Sequence, residues 1–289
     1  MIKHLVLSGA AINGLIQIGV LEYLVEINVF KLSDIKSIYA TSAGAMISVL
    51  LLIGVSFLEL KEYVINRPWE KFFDIDLDFQ EKGIYPSKCI YGIVKPFMQA
   101  NDIPDTFTLL DLYNKTGVDL HIFTTKINGM VTTDLNHSTH PTITIQQAIT
   151  MTASIPVVFP PAKYENEYYI DGAILNRCPL RSIQTHNYDT DSILIVDIID
   201  DIALYTDESS ILNFISILFT NCMYIVCSDK YNDSCLDNYK YYYRITADNI
   251  FNSNVWLEFL NDNKFRKQVY EKGYNHLKKI ETKLETIKD

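Results

Sequence analysis

Leu5-Val6-Leu7 is an apolar run without alternation, and small residues follow it before apolar side chains recur at Leu15, Ile18, Leu21, Leu24 and Val25. A short run with no polar side reads as a strand buried on both faces, and the three-to-four spacing after it as a helix. The unit recurs from Ser37 to Thr41, which leads into Ser42-Ala43-Gly44 and an apolar stretch that predicts a helix from about Ala45 to Ile65. Two strand-loop-helix units this close together predict an α/β fold, a mainly parallel sheet flanked by helices.

The pattern weakens between Asn66 and Asp105, with helical spacing only from Ser87 to Gln99, and reads as a surface excursion or lid. Strands are expected at Asp119–Lys126 and Met130–Asp134, joined by an Asn128-Gly129 turn. A helix follows at Thr144–Ala153, and a strand pair spans Tyr164–Ile170 around Glu165-Asn166-Glu167. Further strands are expected at Ile193–Ile199 and Tyr239–Ile245. Phe265, Val269, Leu277, Ile280, Leu284 and Ile287 share one side of a long amphipathic helix over Asn263–Ile287. No repeat, linker or low-complexity tract interrupts the chain, so a single domain over residues 1–289 is expected.

The apolar stretches Ala45–Val55 and Ile211–Cys227 fall short of the roughly 20 residues of a membrane span and read as buried helices. The first apolar run is too short for a signal peptide, which makes a cytoplasmic location the expectation. A net charge of −10 argues against a nucleic-acid binder, which must neutralise phosphates. Five cysteines, at 89, 178, 222, 227 and 235, lack both zinc-site and CxxC spacing. Residues 263–289 carry eight Lys/Arg against four Asp/Glu around the apolar stripe. Such a helix can touch an anionic membrane surface transiently, although docking on the core is the commoner arrangement.

Three segments carry candidate chemistry. Ala40-Thr41-Ser42-Ala43-Gly44 places a serine at a strand-to-helix junction, the context of a nucleophile elbow; helix capping is the plainer alternative. Ser8-Gly9-Ala10-Ala11-Ile12-Asn13-Gly14, at another such junction, can present successive backbone N–H groups to an oxyanion. As a phosphate loop it fails, because Leu15 and Ile16 stand where Lys and Ser/Thr are required. Asp171-Gly172-Ala173 closes a strand with a carboxylate that can act as a general base, and alone is only a turn. His276 follows Asp171 in the order of a Ser-Asp-His triad but belongs to the long helix, away from any loop motif. His137-x-x-His140 is a weak metal pair without a third ligand nearby.

In order and spacing, these segments resemble the patatin-like phospholipase family, whose pattern is a glycine-rich oxyanion loop, then G-x-S-x-G, then D-G-[GA]. The resemblance continues through Leu15–Leu21, Ala148–Pro161 (AITMTASIPVVFPP), Asn176 and Pro179, and covers roughly residues 4–185. It implies a three-layer fold in which Ser42 is the nucleophile, Asp171 its partner in a dyad, and the backbone of Gly9, Ala10 and Ala11 the oxyanion hole. The implied activity is hydrolysis of a phospholipid or acylglycerol without metal or organic cofactor. Transfer of the acyl group to another acceptor is a close variant; a catalytically weak lipid-binding or regulatory protein is the rival. The chain departs from the pattern at Ala10 and Ala11 in place of glycines, Asn13 in place of a frequent Arg or Lys, and Ala40 in place of the first elbow glycine. Backbone donors survive Gly→Ala where φ is negative, so Ala10 and Ala11 are expected to keep negative φ, with Gly9 taking any positive value.

Overall fold

The computed structural model describes residues 1–73, 82–201, 236–249 and 253–286, with side chains as far as 278, and scattered positions between 202 and 235. Within these, eight strands form one sheet: β1 (His4–Leu7), β2 (Ser37–Thr41), β3 (Asp119–Lys126), β4 (Val131–Leu135), β5 (Ala162–Tyr164), β6 (Glu167–Asp171), β7 (Ile193–Asp200) and β8 (Tyr241–Ala247). The order is β5-β6-β3-β2-β1-β7-β8, with β4 also paired to β3. β8, β7, β1, β2 and β3 run parallel, while β4, β5 and β6 extend the sheet antiparallel. Leu5 and Leu7 of β1 enter the larger core and Val6 the smaller one on the opposite face, which is why Leu5-Val6-Leu7 shows no alternation of polar and apolar residues.

β3 is the ruler that positions the site. β4 occupies one of its edges over Ile122–Lys126, so β2, paired with Asp119–Phe123, and β6, paired with Thr124–Lys126, must share the other edge end to end. Thr41 pairs with Phe123 and Asp171 with Thr124, so the chain leaving β2 and the chain leaving β6 meet head to head.

Helices α1 (Gly14–Glu26) and α2 (Ala43–Leu52) follow β1 and β2. The single helix expected over Ala45–Ile65 is two: α2 stops before Gly54, whose φ of +100° no helix accommodates, and α3 (Phe57–Asn66) restarts at a capping box. In that box Ser56 and Glu59 satisfy each other's backbone N–H groups. The excursion expected over Asn66–Asp105 instead carries α4 (Trp69–Phe72) and α5 (Lys88–Ala100), whose Trp69, Ile90, Val94 and Met98 are buried in the main core. Beyond them lie α6 (Leu109–Thr116), α7 (Ile145–Thr152), α8 (Ala173–Asn176), α9 (Leu180–Gln184), α10 (Ser253–Asn261) and α11 (Asn263–Thr286). Val269 and Leu277 of the α11 stripe are buried in the core cluster, and Phe265 packs against it. The side chains of Ile280 and Leu284, together with Ile287 and most of Ile211–Cys227, lie outside what the structure describes. Among the described residues, no helix is long and apolar enough to cross a membrane.

Candidate active site

Ser42 ends β2 and starts α2 at φ 52° and ψ −120°, a backbone state that pushes its side chain out of the sheet. The turn is tight because α2 crosses directly over the end of β1: a Cβ built on Gly44 would lie 2.7 Å from the carbonyl oxygen of Leu7. Ala40 stands in place of the first elbow glycine as an ordinary buried β2 residue paired with Leu7; its φ is not positive, and its methyl adds no backbone strain.

The Ser42 hydroxyl donates a 2.7 Å hydrogen bond to Asp171 Oδ2, both residues being 3% exposed. The other oxygen, Oδ1, accepts from the backbone N–H of Ala173 at 2.8 Å. Burial raises the Asp171 carboxyl to about 7, against the pull of these two hydrogen bonds. A carboxyl that loses its proton near neutrality while touching a hydroxyl is matched to general-base work. Gly172 permits the approach of this loop to β3, because a Cβ there would lie 2.1 Å from the carbonyl oxygen of Phe123.

Thr152, at the end of α7, fastens the two halves together. Its hydroxyl accepts from the Ser42 N–H at 2.9 Å and donates to the Phe123 carbonyl, while its own carbonyl accepts from the Gly172 N–H at 3.2 Å. Thr152 lies within the segment Ala148–Pro161, where nothing in the local sequence pattern marks it out.

The loop after β1 corrects two expectations. Gly9 does not take the positive φ; Ala11 does, at 45°. Gly9 is needed for space, since a Cβ would lie 3.0 Å from that of Ala173 and 3.5 Å from that of Ser42. Its N–H is also committed, donating to the Arg177 carbonyl at 2.8 Å, so of the three expected donors only Ala10 and Ala11 remain candidates. Asn13 turns away and ties the loop to the far end of β8 through the Asp248 carbonyl at 2.8 Å.

Ser42 and Ala11 open onto an apolar cavity of about 120 Å³ that communicates with solvent. Its wall includes Ile47, Trp69, Phe73, Ile90 and Phe159. The segment read as a surface excursion thus supplies part of the cavity lining.

The histidines are elsewhere. His276 is exposed on α11. His137 pairs with Asp119 at 2.9 Å and stacks on Tyr113, and His140 pairs with Thr139 at 2.8 Å, so the HxxH pair does not converge. Burial pulls His121 down, but hydrogen bonds and charge from Asp119 and Asp134 outweigh it and hold it up at about 9. Among the described residues, no group of His, Cys, Asp and Glu is arranged to hold a metal.

A family model described as patatin-like phospholipase matches residues 5–183. The chain belongs to this family. Among curated relatives, "Probable lipid hydrolase 463L" of Invertebrate iridescent virus 6 is 29% identical over 193 residues, 64% of this chain and 64% of the relative. An uncharacterized protein of Acanthamoeba polyphaga mimivirus is 29% identical over 182 residues, 59% of this chain and 58% of that protein. The match spans less than two thirds of either relative. Among solved structures, VipD from Legionella pneumophila superposes with a TM-score of 0.58 at 18% identity, over 94% of this chain and 65% of that one. At that identity the likeness concerns the fold, a patatin-like α/β architecture.

Proposed function

We propose that the chain is a lipid acyl hydrolase that cleaves a fatty acyl ester through Ser42 and Asp171. The observation that carries this reading is the 2.7 Å hydrogen bond between the two side chains at the edge of an apolar cavity. Asp171 takes the Ser42 proton as Oγ bonds to the ester carbonyl carbon, and the N–H groups of Ala10 and Ala11 hold the oxyanion. Collapse breaks the ester C–O bond, and the proton on Asp171 leaves with the alcohol. Water then attacks the acyl-serine; Asp171 accepts its proton and returns it to Ser42 as the fatty acid departs. Phospholipids and acylglycerols both fit an apolar cavity with an ester at its mouth. The positive N-terminal end of α2 favours the same developing charge.

A fluorophosphonate probe tests the proposal. Wild-type protein should be labelled at Ser42, Ser42→Ala should not be labelled, and Asp171→Asn should label and hydrolyse about 10²-fold more slowly or worse, the scale of a lost general base. Asp171→Asn that hydrolyses like wild type would sink the dyad. The strain at Ala11 favours the rival, a lipid-binding protein with an inert serine. Wild-type protein that binds fatty acid but resists the probe would establish that rival.

A further inference from the structure

The family match ends at residue 183, yet two rings on the cavity wall, Trp256 and Phe259, come from α10. Three residues apart, they project from one side of the helix. The Phe259 ring lies 5.9 Å from that of Trp69, which in turn stacks at 5.9 Å on Phe73, and all three line the cavity. The portion of the chain outside the family pattern thus completes a wall begun by α3 and α4.

Beside the burial of Phe259 and Leu260 in the core, one buried cation fastens α10 in place. Arg266, on α11 and 4% exposed, donates from Nη1 to the carbonyls of Phe259 and Leu260, in the last turn of α10. Its Nε donates to the Ile65 carbonyl at 2.8 Å and its Nη2 to the Arg67 carbonyl at 3.3 Å, at the end of α3. Helix C-termini leave carbonyls unpaired and carry the negative end of the helix dipole, so one guanidinium between two such ends satisfies both. Leu60 and Val64 of α3 line the same cavity. Arg67 continues the join, with its guanidinium 4.9 Å from the centre of the Trp69 ring.

We infer that α10, latched to α3 by Arg266, is the chain-length-selecting wall of the acyl site: Trp256 and Phe259 contact the methylenes of a long fatty acyl chain, and Arg266 is their positioning residue. This rests on the acyl-hydrolase reading above for what fills the cavity. A short acyl group at Ser42 does not need this wall, whereas a long chain gains contact along it, each buried methylene adding roughly fourfold in affinity.

The test uses the full chain, p-nitrophenyl esters from butyrate to palmitate, and binding of the fluorescent fatty acid cis-parinaric acid to the Ser42→Ala protein. Trp256→Ala and Phe259→Ala should each lower the ratio of kcat/KM on palmitate to that on butyrate by about tenfold, mainly through KM, the scale of one or two lost methylene contacts. In the Ser42→Ala background they should weaken parinaric acid binding to a similar extent. Arg266→Met should shift the same ratio, and Arg266→Lys, which can still donate to helix ends, should recover part of it; a purely structural role would lower all esters alike. The two aromatic variants keep the test available if Arg266→Met does not fold. Equal losses at every chain length, or parinaric acid binding indifferent to Phe259→Ala, would overturn the role of α10 and leave the hydrolase reading standing. A wild type inert on every ester, with Ser42→Ala binding no parinaric acid, would overturn both.

Discussion

Ala11 and Ser42, which both line the cavity, hold positive φ, 45° and 52°. A side chain in such a backbone state costs about 1–3 kcal/mol unless the surroundings impose it. At Ser42 the imposition is visible: its N–H is held by Thr152 and its hydroxyl by Asp171. At Ala11 the strain accompanies a turn whose N–H groups are the proposed oxyanion donors. Ala11→Gly should therefore raise Tm, since relieving about 1–2 kcal/mol of left-handed strain outweighs the 0.5–1 kcal/mol of extra chain entropy that glycine loses on folding, roughly. Ala11→Val should act oppositely on Tm, lowering it through its β-branch, and should lower kcat by about 10²-fold by crowding a proposed oxyanion donor. Thermal melts of the two variants beside wild type check this; a lower Tm for Ala11→Gly would mean that the angle carries no strain.

Between elements, α1 and α11 approach closely at two glycines. A Cβ on Gly19 of α1 would lie 2.4 Å from the Tyr270 carbonyl oxygen, and one on Gly273 of α11 would lie 2.1 Å from that of Ile16. Backbone faces backbone there, and no rotamer change can make room. Gly273→Ala should separate the helices and lower stability by about 1–3 kcal/mol, the usual scale of overpacking, read as a lower urea midpoint with unchanged m. A midpoint equal to wild type would show that α11 can slide at no cost. At this scale the sequence was legible wherever one burial pattern filled an element: β1, β2, β3 and β7 are buried on both faces over most of their length, and all four stand close to the residues expected for them. It misled where an apolar run crossed a break. Residues 45–65 hid the stop at Gly54, though Ser56-x-x-Glu59 carried the restart signal. Ser42 and Asp171 were legible because each ends a strand beside small residues. Arg266 was not, because its partner carbonyl on Ile65 is 201 residues away and nothing local marks it. The loop after β1 is half legible: the sequence suggests glycine at position 9 for its φ, whereas close packing against Ala173 is what demands it.

Across the whole molecule, the candidate site and the stability of the fold respond to pH in opposite directions. An unfolded Asp titrates near 3.9, roughly, whereas burial holds Asp171 at about 7. Between those values the native state binds more protons than the unfolded state, so this group makes stability fall as pH rises from about 4 to about 7. His121, kept at about 9 by Asp119 and Asp134 despite burial, contributes stability that is fully present below roughly 6.5 and lost as pH rises through 9. His4, lowered by burial, opposes this trend below its ordinary value. In the proposed mechanism Asp171 acts as carboxylate, so kcat/KM should climb about tenfold per pH unit below pH 7 and level off above it. The chain should thus be most active where Asp171 and His121 make it less stable. Thermal melts from pH 4 to about 9 check the stability side, with Asp171→Asn as the comparison. The variant should gain on wild type as pH rises toward about 7, because its amide has no proton to lose, and then run parallel to it while His121 titrates. If wild type and Asp171→Asn instead keep a constant difference in stability across that lower range, Asp171 ionises normally, and the rise in kcat/KM must be traced to another group.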